Sequence, residues 1–387
     1  MSQDHDKFFT TLENEALICG RCGSCRASCP VYNVIGWESA TPRGKISMAK
    51  DIWVKGAKMD DAFIKRIDQC TLCGACANMC ATSIDTRSLY LEIRRRIAEA
   101  GKEPEAFKNL RDHLLKNKNV STFANEDRLE WSQDLDDEPD ELEFKAGAEV
   151  VYFVGCVASF YPQSEPIPLS VAQIFIDAGI DFTVMGGEEW CCGFPLVSTG
   201  YVKDSEPFIK HNVGKVKELG IHTVVTSCPS CYHFWKHECK EEIGNYELEI
   251  VHHTEYIAKL IKEGRIELKE MDEVITYHDP CDLGRNSGVF DPPREILTSI
   301  PGVKFVELEH NRAESLCCGG GGNLQSSDAE LSSDITNLRV QEIENTGASI
   351  VVSACQQCEQ MLTTSIHKKG LKIKVMDIAE LVLEAME

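Results

Sequence analysis

The chain has 387 residues, 43% of them apolar and 26% charged, which at roughly 100–200 residues per domain predicts two or three globular domains. Its 62 acidic against 40 basic side chains leave a net charge of −22, which excludes the basic footprint that nucleic-acid binding needs. No run of 18 apolar residues predicts a transmembrane helix, and the polar opening MSQDHDKFFTTLENEA shows no secretory signal, so a cytoplasmic location is expected.

In such a chain, 19 cysteines point to metal ligands rather than to disulfides. Cys19, Cys22, Cys25 and Cys29 form CxxCxxCxxxC, followed by Pro30. Cys70, Cys73, Cys76 and Cys80 repeat the spacing, followed by Ala81. This run is the bacterial ferredoxin signature of cubane 4Fe–4S clusters. Three thiolates on one tight turn grip three irons, and the fourth, too far along to close the same cube, goes to the other cluster. The expected ligand sets are therefore crossed: Cys19, Cys22 and Cys25 with Cys80, and Cys70, Cys73 and Cys76 with Cys29. Zinc would favour two separated CxxC pairs over a run of four. Ala81, where proline is usual, predicts a changed exit turn and an intact cluster.

Between the runs, Ile46, Ala49, Ile52 and Trp53 form an amphipathic stripe that Gly56 ends. After them, SLYLEIRRRIAEAGK sets Leu89, Ile93 and Ile97 on one face before Gly101. Residues 1–102 read as a helical two-cluster ferredoxin domain. Residues 103–147 read as an acidic linker, because seven of the ten residues in DLDDEPDELE (134–143) are acidic; the sharper alternative is an acidic strap against a partner or another domain.

The remaining cysteines fall in an internal repeat. EVVYFVGC ends at Cys156, EEWCCGF holds Cys191 and Cys192, and TSCPSC holds Cys228 and Cys231. The second copy places Cys281, then Cys317 and Cys318, then Cys355 and Cys358, at offsets of 125, 126 and 127 residues. A repeat of this length means duplicated domains, here 148–265 and 266–387. Short β-branched runs (VVYFV, TVVTS, SIVVS) alternate with helical stretches, so each copy reads as α/β with cysteines just after parallel strands. The fold class is therefore α + α/β. Four ligands complete a cubane, yet each copy has five cysteines. The surplus thiolate is idle, bridges two irons or supports a non-cubane cluster, and its recurrence as an adjacent Cys-Cys in both copies argues for a ligand. The run Gly319–Gly322 resembles a phosphate loop, and close backbone approach to a cluster explains it as well. Cys239 stands outside the pattern as a structural or surface thiol.

One cysteine, about 34 residues, CCG, about 35 residues and CxxC is the CCG motif. Two such motifs behind a helical two-cluster ferredoxin resemble the D-type family of heterodisulfide reductase polypeptides, itself similar to a fusion of the C-type and B-type polypeptides, over nearly the whole chain. The iron–sulfur subunits of glycolate and lactate oxidases, and electron-transfer subunits of complexes such as benzoyl-CoA reductase, share the architecture. The resemblance implies one non-cubane 4Fe–4S cluster at Cys156, Cys191, Cys192, Cys228 and Cys231, and another at Cys281, Cys317, Cys318, Cys355 and Cys358, beside the two cubanes. It implies reduction of a (hetero)disulfide held between the paired clusters, each contributing one electron. A relay without its own disulfide chemistry is the alternative. The implied partners are a flavoprotein or other electron-donor subunit, a membrane cytochrome b that would hold the chain at the cytoplasmic face, and the disulfide substrate.

No flavin is expected in the chain itself, since no GxGxxG follows a strand. His278 and Asp279, just before Cys281, are candidate proton donors to leaving thiolates, or they shape that loop. His252 and His253 read as packing against or capping a helix that begins near Thr254. Arg285 and Lys203 suit anionic substrate groups but have no placement from sequence.

Overall fold

The computed structural model describes residues 12–135, 142–240 and 246–387, so most of the acidic run, 136–141, lies outside the described residues. The N-terminal part is helical. Thr41 accepts a hydrogen bond from the Gly44 amide at the start of Pro42–Trp53, Asp60 from Phe63 at Asp61–Asp68, and Asp85 from Ser88 at Thr86–Glu99. Ile46 and Ala49 are buried on the first of these helices, and Leu89, Ile93 and Ile97 on the last.

The segment expected as an acidic linker is folded over most of its described length. It holds a helix, Glu105–Asn117, and a 3-10 stretch, Asn125–Asp134, with Phe107, Leu114, Arg128 and Trp131 buried. Its acidity misleads because the apolar anchors are spaced thinly among charges that face solvent.

Among the described residues eight short strands follow: β1 (Val150–Phe153), β2 (Phe182–Thr183), β3 (Thr223–Thr226), β4 (Glu249–His252), β5 (Val274–Tyr277), β6 (Lys304–Phe305), β7 (Ile350–Ser353) and β8 (Lys374–Asp377). They form two parallel four-stranded sheets of identical order, β2-β1-β3-β4 and β6-β5-β7-β8. Tyr152 pairs with Val225 as Tyr277 pairs with Val352, which fixes the internal offset at 125 in β1 and β5. β1 and β7 are buried throughout, as their unbroken β-branched runs require.

The two copies meet about a pseudo-twofold axis. Helix Pro166–Asp177 of the first packs on Ile378–Met386 of the second, and His253–Lys262 of the first packs on Asp291–Ser299 of the second. These pairings exchange under the 125-residue offset, as an isologous interface demands. His252 and Asp377, at equivalent positions, each cap the helix that follows, in capping boxes with Glu255 and Glu380. His253 then reaches across the interface, its Nε2 lying 3.0 Å from Asp377 Oδ1, with both side chains fully buried.

Candidate metal centres and the cleft between them

Every cysteine group of the repeat follows a strand. Cys156 comes after β1, Cys191 and Cys192 after β2, and Cys228 and Cys231 after β3; the second copy repeats this after β5, β6 and β7. Cys228 and Cys355 are also the N-caps of helices, where free amides and the positive helix end favour thiolate. The ten thiols gather as two groups of five. In the first, the thiols are neighbours in a chain, Cys156 beside Cys191, Cys191 beside Cys192, Cys192 beside Cys231 and Cys231 beside Cys228. In the second, Cys317, Cys318, Cys358 and Cys355 are linked in the same way, with Cys318 and Cys358 sulfurs 3.1 Å apart and Cys281 beside Cys317.

Burial drives the thiols of Cys156 and Cys281 well above the ordinary range. The second member of each Cys-Cys pair goes the other way. Cys192, held by Cys191 and Cys231, is lowered to about 6, and Cys318 is lowered by Cys317 and Cys358. Five converging sulfurs, four from buried cysteines and one from a half-buried cysteine in each set, form an all-sulfur donor set of the kind iron–sulfur clusters take, so the residues fit that group.

In the helical part, Cys29, Cys70, Cys73 and Cys76 line one small cavity together. Burial, then Cys70 and Cys73, push the Cys76 thiol well up. Cys19 and Cys22 lie beside Cys25, and Cys80 lies beside Cys22. The structure thus brings Cys29 to the second run and Cys80 toward the first. Cys22 is exposed, whereas Cys70 and Cys73 are buried against the α/β domains.

That docking is stitched by arginines. Buried Arg94 donates to the carbonyls of Asp68, Cys70, Ser198 and Gly322, at 3.0, 2.7, 2.7 and 3.0 Å, and so ties all three domains together. Arg87 pairs with Glu238 and lies 3.8 Å from Asp282. Arg285 spends its guanidinium on carbonyls, including Cys73 O at 2.8 Å. The last two glycines of the run are explained by the same contact: a Cβ on Gly321 would strike Thr71 O, and one on Gly322 would strike Cys70 O. The close approach is to the neighbouring cysteine loop, and the Cys73 and Cys317 thiols are neighbours across it.

Between the two five-cysteine groups lies a cavity of about 320 Å³, lined by cysteines of both. Neither His278 nor Asp279 lines it. Asp279 is pinned by Arg294, its two oxygens 2.8 and 2.9 Å from Nη1 and Nη2, and accepts from the Arg312 amide at 2.8 Å. His278 Nδ1 accepts from Arg339 Nε at 2.9 Å, which leaves the proton on Nε2. That nitrogen is buried and has no hydrogen-bond partner among the described residues, and a ring nitrogen of His278 lies within 4.8 Å of the Cys318 and Cys358 sulfurs. Burial and then Arg339 push the imidazolium pKa well below its ordinary value, so His278 is neutral and faces the thiols rather than the cleft.

One contributor left no sequence signal. Arg128, from the segment read as a linker, pairs with buried Glu189 at 2.7 Å and donates to Cys156 Sγ at 3.3 Å. Burial opposes its charge, but Cys156 and Glu189 outweigh the burial and raise its pKa. Lys203 is exposed and does not line the cavity, and Cys239 is buried.

Comparison with known proteins agrees with this arrangement. A family model described as a cysteine-rich domain matches residues 150–236 and 275–363, and one described as a 4Fe-4S dicluster domain matches residues 15–84. The D polypeptide of the dihydromethanophenazine:CoB–CoM heterodisulfide reductase of Methanosarcina acetivorans is 32% identical, over 95% of this chain and 93% of that one. The Methanosarcina mazei protein of the same name is 33% identical over the same shares. An EtfAB:quinone oxidoreductase of Syntrophomonas wolfei is 27% identical, over 95% of this chain and 58% of its own length.

Proposed function

Because the chain belongs to the D-type family of heterodisulfide reductase polypeptides, an iron–sulfur oxidoreductase family, we propose that it reduces a disulfide in the cleft between its two five-cysteine sets. The observation that carries this reading is that both sets are complete and border one cavity. Clusters held there would each supply single electrons, so two sets flanking one substrate suit a reaction that takes up two electrons and two protons and yields two thiols. The residues proposed to hold them are Cys156, Cys191, Cys192, Cys228 and Cys231 on one side, and Cys281, Cys317, Cys318, Cys355 and Cys358 on the other. Cubanes are proposed at Cys19, Cys22, Cys25 and Cys80 and at Cys70, Cys73, Cys76 and Cys29. The first of these two lies toward solvent and the second lies against Cys317.

The electron donor is proposed to dock at the first run. Cys22 is exposed there, and Leu17, Ile18 and Met79, neighbours in sequence of Cys19 and Cys80, are exposed apolar residues. Residues 1–102 carry 15 basic and 12 acidic side chains, leaving 25 and 50 for the rest, so this end suits an acidic flavoprotein or the acidic face of a membrane cytochrome b. Among the described residues no helix is long and apolar enough to cross a membrane. A second reading, an electron relay, is favoured by the similarity to the EtfAB:quinone oxidoreductase.

Anaerobic electron paramagnetic resonance of the oxidised, iron-loaded protein separates the two. A disulfide substrate or its thiol product should alter the signals assigned to the five-cysteine sites. A relay should show spectra indifferent to thiols and disulfides.

A further inference from the structure

The cavity that Cys29, Cys70, Cys73 and Cys76 line is also lined by Lys45 and Arg87. Lys45 is 1% exposed, a rare placement for a lysine without an ion pair. Among the described residues its ammonium has neither a hydrogen bond nor an ion pair, and it stands over the Tyr90 ring, 5.7 Å from the centroid. Asp68 feels its charge from beyond ion-pair distance. Burial pushes the Cys29 thiol up, and Lys45 is the foremost influence against that rise. Arg87 differs, since Glu238 pairs with it and Asp282 lies 3.8 Å away. Arg94 and Arg285 spend their donors on carbonyls, among them those of Cys70 and Cys73. Lys45 is thus the cation at this cavity that neither a carboxylate nor a carbonyl holds. At the first run, Arg43 lies beside Cys22 and Cys25, but Glu38 holds it at 2.6 Å and Cys22 is exposed to screening solvent.

Reduction adds one negative charge to an iron–sulfur centre. Burial alone disfavours that charge and would make the inner centre a poorer acceptor than the solvent-side one. An uncompensated ammonium beside the ligands works the other way, and in a buried site it is little screened. We propose that Lys45 raises the reduction potential of the centre held by Cys29, Cys70, Cys73 and Cys76 above that of the solvent-side centre, so that electrons entering at Cys22 are drawn inward. The inference rests on the two-cubane reading of the helical domain, and it holds for a disulfide reductase and for a relay alike. Lys45 is a positioning residue, since it touches no substrate. The step is balanced: one electron leaves the solvent-side centre, the same electron reduces the inner one, and no covalent bond changes.

The test is a mediated redox titration of the full chain, loaded with iron and sulfide under anaerobic conditions and followed by electron paramagnetic resonance. Cys22→Ser, which alters the first run alone, assigns the solvent-side signal. In the unaltered protein the inner centre should titrate at the higher potential. Lys45→Met keeps the length of the stem and removes the charge. It should weaken electron uptake by the inner centre at least about tenfold, a fall of about 59 mV, and leave the solvent-side centre where it was. Lys45→Arg should restore most of that fall. A methionine variant with full iron and an unmoved inner potential would overturn the inference, as would equal shifts at both centres. If that variant loses iron, the order in the unaltered protein decides: an inner centre at the higher potential upholds the inference, and the reverse order overturns it. An unaltered protein whose helical domain shows no pair of 4Fe–4S signals would overturn the two-cubane reading and the inference with it.

Discussion

The Cys73 and Cys317 thiols lie side by side, although one belongs to the helical N-terminal domain and the other to the second α/β domain. The second cysteine run therefore abuts the second five-cysteine set. On the proposed reading, electrons would run from the exposed Cys22 end, through the buried run, to Cys317.

Gly321→Ala tests that direction. Its Cβ would strike Thr71 O and push the cysteine loop away from the glycine run. Iron content should stay unchanged, while electron passage from the N-terminal domain to the α/β domains slows, as read by rapid mixing with a reduced donor. Unaltered passage would mean that electrons travel by another route.

Iron analysis and two substitutions test the proposed ligand sets. The anaerobically loaded protein should hold about 16 iron atoms, four clusters of four. Cys80→Ala should damage the centre of Cys19, Cys22 and Cys25, and Cys29→Ala that of Cys70, Cys73 and Cys76. Loss on the same side as the substituted run would show that each run closes its own cube.

His278→Phe separates a proton donor from a neighbour of the metal site. Phe153 occupies the equivalent position of the first copy, so a phenyl ring suits the fold there. Because His278 is neutral and outside the cleft, turnover should fall less than about tenfold, whereas losing a general acid removes about a hundredfold or more. The second set's spectrum should shift while the first set's does not, since a ring nitrogen of His278 lies within 4.8 Å of the Cys318 and Cys358 sulfurs.

Glu238 carries a pH-dependent part of the domain docking. Burial pushes its carboxyl up, but Arg87 and then His233 outweigh that and hold it at about 2. A depressed acid stabilises the fold above its unfolded pKa, and that stabilisation is lost as pH falls from about 5 toward 2. The shift corresponds to about 3 kcal/mol. Glu238→Gln should lower stability by that order at neutral pH and flatten the acid limb of the unfolding profile, followed by denaturant titration at several pH values.

The cysteine chemistry was legible because ligand spacing is local: runs of CxxCxxCxxxC and the 125-residue echo of Cys156 in Cys281 can be read without any fold. The parallel strands were legible for the same reason, as continuous β-branched runs. What the sequence hid depends on contacts between distant residues. Gly321 and Gly322 meet Thr71 and Cys70 about 250 positions away, so their small size has a cause that no window reveals. Arg128 looked like one charge in a solvated stretch until Glu189 and Cys156 closed around it. Asp279 sits beside Cys281 in sequence, yet Arg294 turns it from the cleft, which shows how poorly adjacency predicts direction at a strand end.

The disulfide chemistry itself is tested most directly by turnover of the iron-loaded chain, driven by an artificial one-electron donor that bypasses any partner. If both five-cysteine sets act on one substrate, disulfide reduction is observed. Cys192→Ala and Cys318→Ala should then each abolish it almost equally, and the double variant should lose little more, as for residues acting as a unit. An intact, fully loaded protein that reduces no disulfide, yet restores electron flow to its partner, would contradict that chemistry and establish a relay.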